Sequence, residues 1–420
     1  MTAAEPVAAA SLAFQPLTLP NGAVVPNRIA KAAMEENMAD AQQAPSPELL
    51  RLYGAWAQGG AGLLLSGNVM ISGTAMTGPG GVVLEDDSQL DKFREWARIG
   101  RSGGAHFWLQ LSHPGRQMQA ALGQATWGPS AVALDLGAAS RMFAVPREMG
   151  EEQIAEVIRR FARSAQLSEQ AGFSGVQIHA AHGYLLSQFL SPLSNRRADR
   201  WGGSLENRAR LLLEVVRAVR AVVSPGFCVA VKLNSADFQR GGFGADEALR
   251  VAQMLNELPV DLIELSGGSY EAPAMQCESR DGRTLAREAY FLEFAQEIAK
   301  VAKMPLMVTG GIRRLAVVEQ VLAGGVAVAG LATALAVDPA LPRAWQSGRE
   351  PHPRLAPVRW KAKPLAALAT MSLVKFQLRR LSTGRTPRPG VSALRAFLID
   401  QIAMLRKTRR YRKWAAARVA

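Results

Sequence analysis

Eight short apolar runs, each separated from the next by a stretch with helical periodicity, constrain the fold of this chain more than any single motif does. The runs are Ile29 to Ala33, Ala61 to Ser66, Ala105 to Gln110, Val176 to Ile178, Cys228 to Leu233, Asp261 to Leu265, Pro305 to Thr309 and Val326 to Gly330. Between them the pattern predicts helices over 47–58, 88–101, 151–171, 205–223, 245–257, 288–303 and 313–323, with Pro339 to Trp345 as the last. Such alternation argues for a parallel sheet. Eight units without a dinucleotide-binding glycine fingerprint argue for closure into an α/β TIM (β/α)8 barrel. Ahead of the first run, Leu17 to Val25 reads as a hairpin about Asn21-Gly22 that can plug the barrel bottom. The nearly uncharged stretch from Val321 to Val337 is long enough to suggest a membrane span, but its alanines, glycines and Gly324-Gly325 break make it a strand between two helices.

The polar chemistry concentrates in one place. Two of the five histidines and one of the five tyrosines, His179, His182 and Tyr184, fall within six residues. The turn signal Gly172-Phe-Ser-Gly175 and the run Val176 to Ile178 precede them, so they leave the C-terminal end of a buried strand, where α/β enzymes hold their reactive groups. Two histidines three apart could ligate a metal, but only His106, His113 and His352 remain as imidazole partners, and neither an HExxH nor a Cys-x-x-Cys pattern is present. Structural hydrogen bonding and paired N–H donors aimed at a substrate oxygen remain, the second being a task neutral imidazole suits. Tyr184, two residues after His182, is then a candidate proton donor.

The segment HAAHGYLLSQFLSPLSNRRADRWGGSLENR closely resembles the corresponding motif of the old yellow enzyme family, FMN-dependent ene-reductases built on a TIM barrel. The likeness runs over most of residues 15–345, through PNRIAKAAM, GGAGLLLSGNVM, WLQLSHPGRQ, GPSAV, VAVKLNSADF, IELSGGSY and MVTGGI. It implies FMN as cofactor, NADH or NADPH as reductant, and an enone or enoyl-type substrate whose C=C bond is reduced. In that scheme His179 and His182 hold the carbonyl oxygen, flavin N5 delivers hydride to the β-carbon, and Tyr184 protonates the α-carbon.

The same resemblance distributes the flavin contacts. Ala33 and Met34 would touch the isoalloxazine, and Gln110, which both donates and accepts, would match its pyrimidine edge. Lys232, an ion costly to bury without an anionic partner, would sit beside N1 and O2. Gly310-Gly311 and Gly330-Leu-Ala-Thr333, with Ala332 and Thr333 at the second position, would hold the phosphate, as TIM barrels commonly do after their last two strands. Three departures stand out: Glu35 and Asn68 replace the residue types expected beside O4 and N5, and Thr333 stands where an arginine is usual.

Cysteine usage and charge bound the rest. Only Cys228 and Cys277 occur, which excludes a disulfide framework or a four-cysteine iron–sulfur site and fits a cytoplasmic protein. Residues 1–14, with Glu5 and Pro6 among alanines, make a poor secretory signal and are expected to be flexible. Residues 15–348 are expected to form the barrel, and 349–420 a basic helical extension. The segment 351–420 carries seventeen Lys and Arg against the single acid Asp400, leaving the remainder near neutral with 32 basic and 34 acidic residues. A dihydrouridine synthase also joins an FMN barrel to a basic helical region, but its loop cysteine has no counterpart here. A fused dienoyl-CoA reductase would need a cysteine cluster and further nucleotide domains. A non-catalytic barrel held at a membrane by its tail would have no use for the polar set.

In the tail, Val391, Leu394, Leu398, Ile402 and Leu405 share one helical face, followed by the basic cluster Arg406 to Lys413. The face is expected to pack on the barrel or on a second subunit. Peripheral contact with an anionic membrane through 364–413 and homo-oligomerisation are the partners left open, with nucleic acid disfavoured.

Overall fold

A computed structural model describes residues 11–273, 288, 289 and 291–418; Cys277 lies outside the described residues. The eight barrel strands are β1 Ile29–Lys31, β2 Leu63–Met70, β3 His106–Ser112, β4 Gly175–Ala180, β5 Cys228–Asn234, β6 Leu262–Ser266, β7 Leu306–Thr309 and β8 Val328–Leu331. Each pairs in parallel with the next, and β8 returns to β1 through Ala329↔Ile29 and Leu331↔Lys31, which closes the barrel.

Helices follow the strands in the expected order: α1 Pro47–Ala57, α2 Leu90–Gly100, α3 Glu151–Gln170, the short α4 Leu185–Leu190 with α5 Leu205–Arg220, α6 Ala245–Leu255, α7 Leu292–Ala299 and α8 Leu315–Ala323. After β8 come α9 Thr333–Val337 and α10 Leu341–Gln346, so the final connection holds two helices rather than one. Local sequence sets these boundaries. At α1, Ser46 Oγ accepts the Leu49 N–H and Pro47 occupies the first helical position, where its missing N–H costs nothing.

Alternation of side chains along each strand divides the barrel interior into layers. The lower layer is apolar: Leu63, Leu65, Trp108, Cys228, Ala230, Leu262, Met307 and Val328. Leu19 and Val25 of the N-terminal hairpin, whose strands pair Leu17↔Val25, join the same cluster and plug the barrel. Two residues further along four strands, the inward positions become polar: Gln110 after Trp108, Lys232 after Ala230, Glu264 after Leu262 and Thr309 after Met307. This polar layer is the floor of the site.

Two boundaries move relative to the sequence reading. Residues 11–14 are not part of a flexible end: Leu12–Phe14 forms a 3₁₀ turn with Ala13 fully buried, and the Ala13 N–H and Ser11 hydroxyl both donate to Glu319 on α8. Strand β2 runs on to Met70 instead of stopping at Ser66. Its pairing with β3 shifts between Leu65 and Asn68, a bulge that places Asn68 opposite Gln110.

The extension folds as two helices, α11 Lys363–Ser382 and α12 Ala393–Ala416. Leu378 and Leu381 of α11 join the outer core of the barrel, and Arg51 Nε on α1 donates to the Ser382 carbonyl at 2.8 Å. The C-terminal half of α12 closes over the loops after β2 and β3, where Tyr411, Trp414 and Ala415 pack with Met70, Met76, Val83, Met118 and Leu122. The expected packing face of α12 is the wrong one. Val391 is buried, but Leu394, Leu398, Ile402 and Leu405 are 56%, 52%, 52% and 64% exposed. The side turned inward instead carries Ala396, which seats Leu373 and Phe376, and Asp400, which accepts from Arg379 and from Ser372 Oγ.

Candidate active site

The C-terminal mouth of the barrel brings His179, His182 and Tyr184 together as sequence spacing predicted, although His179 is held within β4 rather than beyond it. The His179 ring lies 5.1 Å from His182 and 4.9 Å from Tyr184, centroid to centroid, in edge-to-face arrangements. His182 adopts φ +60°, a left-handed conformation that a non-glycine residue holds only when its surroundings impose it. Three bonds do so. Its N–H donates to Asn234 Oδ1 at 3.0 Å, its carbonyl accepts from Gln117 Nε2 at 3.0 Å, and its Nε2 lies 2.7 Å from Ser266 Oγ. Gly183 follows at φ +72°, where a Cβ would collide with Gln117 and Ser269.

Burial holds both imidazoles well below the usual histidine range, with Lys232 adding repulsion to each and His182 to His179. They are therefore neutral at physiological pH. His179 Nδ1 accepts the Ala181 N–H at 3.2 Å, which leaves the ring proton on Nε2. When Ser266 donates to His182 Nε2, the second proton sits on His182 Nδ1. Two neutral N–H donors result.

Tyr184 is buried, and its hydroxyl lies 3.4 Å from Asn68 Nδ2 and 3.3 Å from the hydroxyl of Tyr270. Burial, Tyr270 and Glu35 push its phenol well above the normal tyrosine range; burial and Glu35 do the same to Tyr270. Glu35 itself accepts from Thr77 Oγ1 in the loop after β2.

Below this trio runs a buried polar chain. Gln110 Nε2 donates to Gln177 Oε1 at 2.6 Å, and Gln177 Nε2 to Glu264 Oε2 at 2.7 Å. Glu264 Oε1 accepts from Lys232 Nζ at 2.8 Å and from Thr309 Oγ1 at 2.6 Å. Lys232 thus has the anionic partner that its burial demands. Two acceptors remain over: Gln110 Oε1, and Asn68 Oδ1, which is buried without a partner. A ligand presenting N–H groups suits both, as the edge of a flavin does. Ala33 and Ala332 line the interior beside the apolar layer, and Met34 is buried next to them.

After β7, Gly310 and Gly311 take φ +143° and +71°, backbone conformations that glycine reaches without steric cost. Thr333 begins a helix of only five residues, so the phosphate reading there rests on backbone N–H groups more than on a helix dipole. Arg313, two residues past the glycine pair, is bound to Glu288 at 3.0 Å yet keeps a buried Nε–H without a partner.

Sequence reading missed Gln177, Glu264, Thr309, Asn234, Ser266, Gln117 and Tyr270. For the first three the signal was present: polar residues at the inward position of otherwise apolar strands. Gln117 and Tyr270 come from loops tied together across the mouth, the Tyr270 N–H donating to Gln117 Oε1 at 3.3 Å and Arg116 pairing with Glu271 at 2.5 Å.

The chain is similar to known flavin oxidoreductases in sequence and in fold. The NADH-dependent flavin oxidoreductase iliE of Neonectria sp. (strain DH2) is 40% identical over 354 residues, covering 78% of this chain but only 46% of its own length. Its counterpart from Hypocrea jecorina (strain QM6a) is 36% identical, with 78% and 87% covered. Among solved structures, an old yellow enzyme homologue from Zymomonas mobilis superposes with a TM-score of 0.70 at 25% identity, covering 82% of this chain and 95% of that one. A 2-naphthoyl-CoA reductase complexed with 2-naphthoyl-CoA gives 0.73 at 28%, covering 80% and 52%. The profile of the NADH:flavin oxidoreductase / NADH oxidase family matches residues 12–352, the whole of the barrel, and the chain is a member of that family, of the old yellow enzyme kind.

Proposed function

We propose that this flavin oxidoreductase reduces the C=C bond of α,β-unsaturated carbonyl compounds at the expense of NADH or NADPH. The observation that carries the reading is the trio itself: the neutral His179 ring set edge-to-face against both the neutral His182 ring and the buried, protonated phenol of Tyr184. FMN, when bound, supplies the hydride that it has taken from the nicotinamide.

The residues at the mouth fit that cofactor. Gln110 and Asn68 would meet the polar edge of the ring through their remaining acceptors, Ala33, Met34 and Ala332 its apolar surface, and Lys232 would place a cation beneath it. Gly310, Gly311, Ala332 and Thr333 would receive the phosphate, with the Arg313 Nε–H supplying charge where Thr333 supplies none.

For the substrate, His179 Nε2–H and His182 Nδ1–H converge on the carbonyl oxygen. Donors fixed before the reaction stabilise the negative charge that grows there as hydride arrives at the β-carbon. Tyr184 hands its phenolic proton to the α-carbon. Asn68 and Tyr270 hold that hydroxyl in place, and the loops carrying Gln117 and Tyr270 keep water from the enolate.

The test is direct. The purified protein should be yellow, its extracted chromophore should co-elute with FMN, and it should oxidise NADH or NADPH when cyclohexenone is added anaerobically. A protein that cannot be loaded with FMN, or that binds FMN and turns over nicotinamide with oxygen alone, sinks the assignment.

A further inference from the structure

The exposed stripe on α12 has no role in the barrel or its site. Leu394, Leu398, Ile402 and Leu405 all stand more than half exposed, and at 100° per residue they fall within a sector of about 80° on the helix surface. Leu365 and Leu368 of α11 are exposed as well. Contiguous exposed leucines at helical spacing mark a surface that meets something apolar.

Charge says what that something is. Arg395, Arg406, Arg409 and Lys413 are exposed on the same helix, and none of them pairs with a carboxylate among the described residues. The one acid of the extension, Asp400, is buried and already bound to Arg379 and Ser372. The outer face of the extension therefore presents leucine and cation with no anion. Such a face repels a second copy of itself, and its four aliphatic side chains give nucleic acid nothing to bind. An interfacial helix on acidic lipid uses this combination, apolar side chains entering the acyl boundary while flanking arginines meet the headgroups. No helix among the described residues is long and apolar enough to cross a membrane, so the contact lies on the surface.

We infer that the Leu394–Leu398–Ile402–Leu405 face of α12 docks this protein on an anionic membrane surface. The opposite side of the same helix touches the site's rim. A Cβ at Gly78 would lie 4.0 Å from Met404, and Lys407 packs against Gly80, in the loop whose Thr77 bonds Glu35 beside Tyr184. Docking thus brings the barrel mouth within a helix diameter of the lipid.

The experiment uses the full chain in flotation with vesicles of equal parts phosphatidylglycerol and phosphatidylcholine, and with phosphatidylcholine alone. At low salt the protein should float with the acidic vesicles, stay behind with the neutral ones, and be released as salt rises. The double substitution Leu398→Asp with Ile402→Asp, at solvent-exposed positions, should cut the floated fraction by about tenfold or more while leaving the melting temperature and flavin content unchanged. Failure of the wild type to float at low salt overturns the proposal, as does equal flotation of the double variant. A wild-type dimer that the double variant converts to monomer assigns the stripe to a second copy and overturns it too. Oligonucleotide binding lost in the double variant has the same force.

Discussion

The hydroxyl oxygens of Tyr184 and Tyr270 lie 3.3 Å apart at the barrel mouth, and both phenols are kept protonated, by burial above all and further by the carboxylate of Glu35. A proton leaving Tyr184 can be replaced from Tyr270 without a water molecule entering. Tyr184→Phe is expected to slow alkene reduction by roughly 10²–10⁴-fold, the usual contribution of a positioned acid, and to leave flavin reduction by nicotinamide nearly unchanged. Tyr270→Phe, which removes one neutral hydrogen bond, should cost about tenfold in the same half-reaction. Stopped-flow measurement of the two half-reactions separates the cases. If Tyr270→Phe is the severe variant and Tyr184→Phe the mild one, the donor is Tyr270.

The barrel was legible because its strands are short and mostly apolar and its helices are amphipathic, so strand order and plug both follow from periodicity. The trio was legible because three rare polar residues crowd one strand end. Asn68 was not placed by alternation: counting in twos from Leu65 turns it outward, and only the bulge before it brings it opposite Gln110. Tyr270 was invisible for a different reason, since it reaches the site from a loop whose path depends on Gln117 and Glu271. The face of α12 was misjudged because periodicity reports which residues share a face, not which face finds a partner. Ala396 and Asp400 won that side through close helix approach and an ion pair.

Lys232 and Glu264 are both almost fully buried, at 4% and 0% side-chain exposure, so neither charge is easily hydrated alone. Removing one partner of such a pair typically costs about 3–5 kcal/mol. Glu264→Gln should destabilise the flavin-free protein by that order in urea unfolding. With FMN bound, the unneutralised lysine should also raise the midpoint potential, because a cation favours the reduced, anionic flavin. An unchanged potential would separate Lys232 from the flavin.

Two buried histidines and the half-buried His182 should make the protein sensitive to mild acid. Burial lowers His113 to about 3, and holds His179 and His182 well below the ordinary histidine value of 6.5. Each binds its proton less readily folded than unfolded, so the stability it contributes is complete above pH 6.5 and is lost as pH falls towards the folded value. Each histidine then adds up to about 1.4 kcal/mol per pH unit to the slope. His113→Gln should flatten the curve between pH 6.5 and about 3 by one proton's worth. Urea unfolding at a series of pH values checks this; identical slopes for variant and wild type would refute it.

Tyr411 and Trp414 fasten the extension to the loops that border the site. The Tyr411 hydroxyl donates to the Gly73 carbonyl at 2.8 Å, and Trp414 packs so closely there that a Cβ at Gly73 would come 2.4 Å from its ring. Removing the whole extension would uncover Met70, Met76, Met118 and Leu122, so a truncated chain confounds loss of any surface contact with damage to the site. A point change is cleaner. Trp414→Ala should cost a few kcal/mol, on the order of 3 for a largely enclosed indole, and should loosen residues 71–84. Loosening that loop frees Thr77 and with it Glu35, whose charge helps hold Tyr184 protonated. The expected signature is faster hydrogen–deuterium exchange confined to the loops after β2 and β3, together with slower alkene reduction and unaltered FMN content. Unchanged exchange in 71–84 would mean that the loop is held by the barrel alone and that α12 rests on the site's rim without supporting it.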